Sequence, residues 1–312
     1  MEEDSVFRAE ADSFLAKMPV GLQDRQTDAI RKAMAGDGRE LVAVRASRNA
    51  SLAKIEDVDV MDVAPNLRLY APKERGCRSL PILVYLHGGG WTFGSINSCA
   101  RFCQTLAATG NVMVLAVDYR LAPEHPFPQG LEDCMRAVEA ARKNAMEWGS
   151  LPELVSVGGD SSGGNLAVSV ALGFLREGSL PVRSLLLFYP VVSAWNDDTL
   201  SWRTFQKGFA LDGSLMEAFN EAYAGGQERN PLVSPSLCAD SLLARLPATL
   251  LVAAERDILC SQGEDFVKRL QGLGVDAQRR VLPGTVHLFI TVHGQEAAFR
   301  KAVSLADGFL SN

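Results

Sequence analysis

Ser161 stands in the run Gly159-Asp160-Ser161-Ser162-Gly163-Gly164-Asn165. It lies between an apolar stretch, Leu154-Val155-Ser156-Val157, and a segment in which Leu166, Val170, Phe174 and Leu175 recur at helical spacing. A strand that turns into a helix within a few residues imposes strained backbone angles on the residue at its apex. Glycines on either side remove side chains that so crowded a turn cannot hold, and Gly159 and Gly163 supply that relief. The Ser161 hydroxyl would then stand clear of the sheet, with a helix N-terminus aimed at any negative charge forming beside it, the setting of a nucleophile. Glycine-rich strand-to-helix turns also hold phosphates, but a P-loop ends in Gly-Lys-Ser or Gly-Lys-Thr and no lysine follows here. The Gly-x-Gly-x-x-Gly spacing of dinucleotide binding is absent from the turn as well.

A second motif, His87-Gly88-Gly89-Gly90-Trp91, follows the strand-like Pro81-Ile82-Leu83-Val84-Tyr85-Leu86. Read blandly it is a glycine loop. Read with Ser161, its bared N–H groups and that of Ser162 make a donor pocket for the oxyanion of acyl transfer. A serine of ordinary acidity also needs a base, and the chain has four histidines. His87 belongs to the glycine loop, His125 sits among the prolines of Leu121-Ala122-Pro123-Glu124-His125-Pro126-Phe127-Pro128, and His293 reads as part of a final helix. His287, in Gly284-Thr285-Val286-His287, follows the strand-like Arg279-Arg280-Val281-Leu282 and so falls on a loop from which a base reaches across a sheet. A carboxylate must orient the imidazole. Asp257 begins the loop after the buried strand Ala248-Thr249-Leu250-Leu251-Val252-Ala253-Ala254, with Glu255, at the strand's end, as its rival. The order Ser161, Asp257, His287 is that of an α/β-hydrolase and of neither common serine-protease arrangement.

On these motifs the chain resembles the hormone-sensitive-lipase branch of α/β-hydrolase esterases. The likeness adds Asp118-Tyr119-Arg120-Leu121-Ala122-Pro123-Glu124, Asp133, Asn230-Pro231-Leu232-Val233-Ser234-Pro235 and Asp257-Ile258-Leu259, and spans most of residues 55 to 305. It implies a triad of Ser161, Asp257 and His287, and an oxyanion hole from Gly88, Gly89 and the N–H of Ser162. It also implies a helical cap over the site, and hydrolysis of short acyl or aryl esters through an acyl-enzyme with no metal or organic cofactor. Two departures stand out. Ile258, Cys260 and Ser261 replace the proline and second aspartate common after the triad aspartate, and Leu288 replaces a frequent glycine after the histidine. Leu288 would narrow the pocket, and Trp91 and Phe209 are candidate pocket walls. The same triad serves amidases, formamidases and deacetylases of small acylated metabolites or sugars. Plant hormone receptors of this fold, which bind without catalysis, have lost the histidine that this chain keeps.

The rest of the chain fits one enzyme unit. Its 312 residues, 47% hydrophobic and 22% charged, are long for one domain and short for two full ones. Alternating apolar runs and helical stretches predict an α/β fold: a mostly parallel, eight-stranded sheet flanked by helices, opened by an antiparallel pair joined at Ala64-Pro65-Asn66. Residues 1–45 read as N-terminal cap helices. Residues 46–192 and 231–312 read as the catalytic core, and the aromatic segment 193–230 as a cap insertion whose helix, from about Ser214 to Ala224, Asp212 would cap. A net charge of −6 argues against nucleic acid or an anionic membrane as partner. No apolar run nears ~20 residues, and Met1-Glu2-Glu3-Asp4 is unlike a basic signal-peptide start, so a cytoplasmic location is expected. Six cysteines without a Cys-x-x-Cys pair suggest reduced thiols, with Cys99 and Cys103 packed in a helix rather than bound to metal. The expected partner is a small ester, and a homodimer through the last strand is left open.

Overall fold

The apolar runs form strands because each buries both faces in the middle of a sheet. The computed structural model describes residues 2–48, 55–74, 76 and 78–311. Its strands are β1 (Val58–Ala64), β2 (Leu67–Pro72), β3 (Ile82–Leu86), β4 (Met113–Val117), β5 (Val155–Asp160), β6 (Ser184–Phe188), β7 (Ala248–Arg256) and β8 (Ala277–Val286). They make one eight-stranded sheet in the order β1-β2-β4-β3-β5-β6-β7-β8. β1 and β2 pair antiparallel, as do β2 and β4, and every later pairing is parallel. From β3 to β6 every strand residue is buried.

Alternation along the strands sends side chains into two cores. Ile82, Val84 and Leu86 join one with α5 (Gln129–Asn144), α6 (Ser162–Arg176) and α10 (Cys260–Gly272). Leu83 and Tyr85 join the other with α4 (Ala100–Ala107) and α11 (Glu296–Leu310). Helix α6 is buried from Ser162 to Leu175, so the helix behind the candidate nucleophile has no freedom to shift. Cys99, directly before α4, and Cys103, inside it, are buried as free thiols; Cys77 lies outside the described residues.

Among the described residues the remaining helices are α1 (Glu2–Lys17), α2 (Leu22–Met34), α3 (Arg39–Arg48), α7 (Leu200–Phe205), α8 (Gly213–Ala224) and the single turn α9 (Asp240–Leu243). Helix α2 packs on α8 and α3, and α1 packs on β8. Asp12 of α1 holds Arg256 at the end of β7 (2.7 Å), and the Glu10 carboxylate accepts the Ala297 N–H (2.8 Å). Helix α8 starts one residue before the expected point and ends at Gly225, whose φ of 56° suits glycine. Asp212 precedes it, but its carboxylate accepts the N–H of Gly208 (2.7 Å) instead of capping the helix. The expected place of His293 in the last helix is also corrected. It lies in the turn before α11, with Nδ1 3.1 Å from Glu296, because α11 does not begin until Glu296.

At the β5–α6 turn, a Cβ on Gly163 would lie 2.0 Å from the Leu86 carbonyl oxygen and 2.6 Å from that of His87. Both are backbone atoms and cannot swing aside. Gly163→Ala should therefore lower stability by at least ~1–3 kcal/mol, read as a fall in the urea midpoint. Gly308→Ala, at an exposed site inside α11 with no heavy atom near its Cβ, should raise it by up to ~1 kcal/mol.

Candidate active site

Strand β5 ends at Asp160 and α6 starts at Ser162, so Ser161 alone makes the turn, at φ 54° and ψ −118°. Positive φ is strained for a serine, by ~1–3 kcal/mol. It is held by backbone bonds on both sides: the Ser161 N–H donates to the Phe188 carbonyl (2.9 Å), and its own carbonyl accepts from Asn165 (3.0 Å) and Val191 (3.2 Å). Asp257 follows directly on β7, and His287 directly on β8. Three strand ends thus bring the three side chains together.

The Ser161 Oγ lies 3.0 Å from His287 Nε2, and His287 Nδ1 lies 2.5 Å from Asp257 Oδ2. A carboxylate facing Nδ1 selects the tautomer with the proton there, which leaves Nε2 to accept the serine proton. Ser161, Asp257 and His287 are all buried. Glu255 is turned elsewhere: it accepts the Gly284 N–H (2.7 Å) and faces Arg8 at 3.6 Å. Two further groups fix the imidazole, and neither was foreseen in the sequence. The Gln295 side chain accepts the Val286 N–H (3.0 Å) and donates to the carbonyls of Val286 and His287 (3.2 Å each), while the Tyr189 ring packs on the imidazole with centroids 4.3 Å apart.

The glycine loop corrects one expectation. The Gly88 N–H donates to Asp160 Oδ1 (2.9 Å), and a Cβ on Gly88 would fall 2.2 Å from the same carboxylate, so this N–H is committed and cannot meet an oxyanion. The N–H groups of Gly89, Gly90 and Ser162 have no acceptor among the described residues. Gly89 and Gly90 have φ of 121° and 60°. In a trans peptide the N–H points opposite the carbonyl of the residue before it, so a bond to that carbonyl aims the N–H. Each of the three is aimed in this way. The Gly88 carbonyl takes the His87 Nδ1–H (2.9 Å), the Gly89 carbonyl takes the N–H of Phe93 (2.8 Å) and Thr92 (3.2 Å), and the Ser161 carbonyl is held as above. His87 itself is buried, stacked on Tyr119 at 4.3 Å, and burial pushes its pKa below the usual 6.5. Its carbonyl accepts the Tyr119 hydroxyl (2.7 Å).

The candidate pocket residues separate. Phe209 and Leu288 meet Phe14 and Leu15 of α1 and Met18 just after it in a small apolar cluster beside the histidine loop. Leu288 also lines a cavity of about 300 Å³ with Phe14, Met18 and Val292, which Ser161 does not line. Trp91 lies away from that cluster, buried in the main core and stacked on Tyr223 at 4.4 Å.

Residues 83–291 match a family model described as the alpha/beta hydrolase fold. The chain is 35% identical to carboxylic ester hydrolase LipN of Mycobacterium tuberculosis, over 78% of this chain and 67% of that protein. It is 33% identical to an arylesterase of Saccharolobus solfataricus, over 76% and 75% of the two chains. Among solved structures, an esterase of Pyrobaculum calidifontis superposes with a TM-score of 0.75 at 28% identity, covering 95% of this chain and 93% of that one. Among the described residues no helix is long and apolar enough to cross a membrane. With sheet order, family model and relatives in agreement, the chain belongs to the alpha/beta hydrolase fold family, in its hormone-sensitive-lipase-like esterase branch.

Proposed function

We propose that this protein is a serine carboxylesterase that hydrolyses short acyl or aryl esters through an acyl-enzyme intermediate. One observation carries the reading: the continuous hydrogen-bonded line from Ser161 Oγ through His287 to Asp257. His287 Nε2 takes the serine proton as Oγ attacks the ester carbonyl. Asp257 holds the imidazole tautomer and stabilises the cation that forms. The alcohol leaves with the proton from His287, and water, activated by the same base, releases the acid. The N–H groups of Gly89, Gly90 and Ser162 receive the oxyanion, with Gly90 taking the part that Gly88 was expected to play. Residues 1–45 and 193–230 act as the cap on a core of residues 46–192 and 231–312. The apolar cluster of α1 with Leu288 and Phe209 favours small substrates. Relatives named arylesterase and, in Pseudomonas putida, ethyl acetate hydrolase support that size range.

A nitrophenyl ester series from acetate to laurate tests this. Activity should peak at short chains and vanish in Ser161→Ala. Asp257→Asn should lower kcat about 10⁴-fold, whereas Glu255→Gln should cost less than about tenfold because Glu255 meets the Gly284 N–H and Arg8 rather than His287. An equal loss in both would overturn the choice of acid.

His87 keeps its Nδ1–H bond to Gly88 in either charge state, but its buried Nε2 has no partner among the described residues to receive a second proton's N–H, and this has a pH signature. The unfolded chain protonates His87 near 6.5, while the folded chain resists protonation to lower pH. The unfolded state therefore binds more protons in that window, and the stability contributed is full above 6.5 and falls as pH drops below it. Urea midpoints from pH 7.5 to 5 should fall for the native chain with up to ~1.4 kcal/mol per pH unit of slope that His87→Gln removes. Parallel slopes in the two would contradict the assignment.

A further inference from the structure

Helix α8 buries an amide that the fold does not use. Asn220 is 4% exposed, and neither its Oδ1 nor its Nδ2 has a partner among the described residues. Two other buried amides near the site have at least one end engaged, with Asn165 Oδ1 lacking a partner among the described residues. Asn165 Nδ2 bridges the Val191 and Val233 carbonyls (2.9 Å each), and Gln262 Oε1 accepts the N–H groups of Val192 (2.7 Å) and Ser193 (3.0 Å). An orphaned buried amide is a standing cost that a leucine of similar volume would avoid.

Its position gives the cost a use. Met216, Phe219, Asn220 and Tyr223 follow i, i+3, i+4, i+7 spacing and share one face of α8. That face lies on the oxyanion loop: a Cβ on Gly90 would fall 2.1 Å from the Phe219 ring, and Tyr223 stacks on Trp91 with ring planes 3° apart. Asn220 is therefore buried on the side of α8 whose Phe219 and Tyr223 meet the glycine loop. Thr27 Oγ1, on the helix packed against α8, is buried without a partner as well.

Resting on the esterase reading above, we propose that Asn220 is a substrate-recognition residue whose amide donates to and accepts from a hydroxyl or amide group carried by the ester close to its scissile bond. A purely alkyl ester leaves both amide atoms unpaired and is the poorer substrate.

Matched pairs test this on both sides of the ester: nitrophenyl 3-hydroxybutyrate against nitrophenyl butyrate, and 2-hydroxyethyl acetate against ethyl acetate. The native enzyme should favour the hydroxylated member of at least one pair by about tenfold in kcat/KM. Asn220→Leu should bring that ratio within about twofold of unity, through a larger fall in kcat/KM for the hydroxylated member than for the alkyl ester, with Tm unchanged or higher. Asn220→Ala serves as a second variant should leucine fail to fold. No preference in the native enzyme, or a preference that survives in the variants, overturns the proposal. Ser161→Ala, measured alongside, separates the two readings: activity that persists without Ser161 would sink the esterase mechanism itself, while an unaltered ratio with Ser161→Ala inactive sinks the role of Asn220 alone.

Discussion

Three donors from distant parts of the chain converge on the Asp160 side chain. The Tyr85 hydroxyl (2.8 Å) and Gly88 N–H (2.9 Å) reach Oδ1, and the Thr291 hydroxyl (3.0 Å) reaches Oδ2. Tyr85 lies on β3, Gly88 opens the glycine loop, and Thr291 follows the candidate base by four residues. A buried acceptor of this kind cannot be left unmet without a cost of several kcal/mol, so it draws the three loops to one depth at the ends of the strands. Ser161 is the next residue in the chain. Its position relative to both the glycine loop and His287 is therefore set by its neighbour as well as by its own backbone bonds.

The same economy governs the peptide planes. A single N–H has one rotational freedom that matters, the tilt of its plane, and a bond to the carbonyl across that plane removes it. The planes carrying the N–H groups of Gly89, Gly90 and Ser162 are each fixed at the carbonyl end, by His87, by Phe93 and Thr92, and by Asn165 and Val191. The N–H ends have no acceptor among the described residues. Donors that are fixed before charge develops need no reorganisation when it does, and that is where electrostatic stabilisation of an oxyanion is greatest. The unmet donors and the positive φ of Ser161 are local costs. The extensive burial of α6 against the sheet offsets them.

Much of this was legible in the sequence because it depends on local pattern. Apolar runs of strand length, the glycines flanking Ser161, and a carboxylate and a histidine each falling just past a strand are all visible within short windows, and each matches the structure to within a few residues at its element ends. What escaped depends on partners far along the chain. Gly88, Gly89 and Gly90 look alike in the sequence, and only the approach of Asp160, 72 residues on, shows that the first of them has spent its donor. Gln295 carries no motif, since its role rests on the accident that the turn before α11 passes beneath the His287 backbone. Asp212 stands at an ideal capping position and turns outward to Gly208, a choice between two nearby N–H groups that propensity cannot make.

The helices α1 and α2 are attached by buried apolar side chains, Phe7, Ala11, Ala29 and Ile30, together with polar ties at their surfaces. Helix α1 is tied to β7 through Asp12, which is 57% exposed in its pair with Arg256, and α2 reaches residues 193–230 through a hydrogen bond from the Asp212 N–H to Gln23 (2.6 Å). Exposed ion pairs contribute little, about 0–1 kcal/mol each, whereas Ser161, His287 and their supports are buried among strands that cannot move without breaking the sheet. Changes at exposed positions of α1 and α2 therefore cost the fold little, whereas changes at the buried positions of α8 disturb the main core. Changes at the strand ends cost both stability and chemistry. The geometry at the strand ends is physically protected where Asp160 and Gln295 lie.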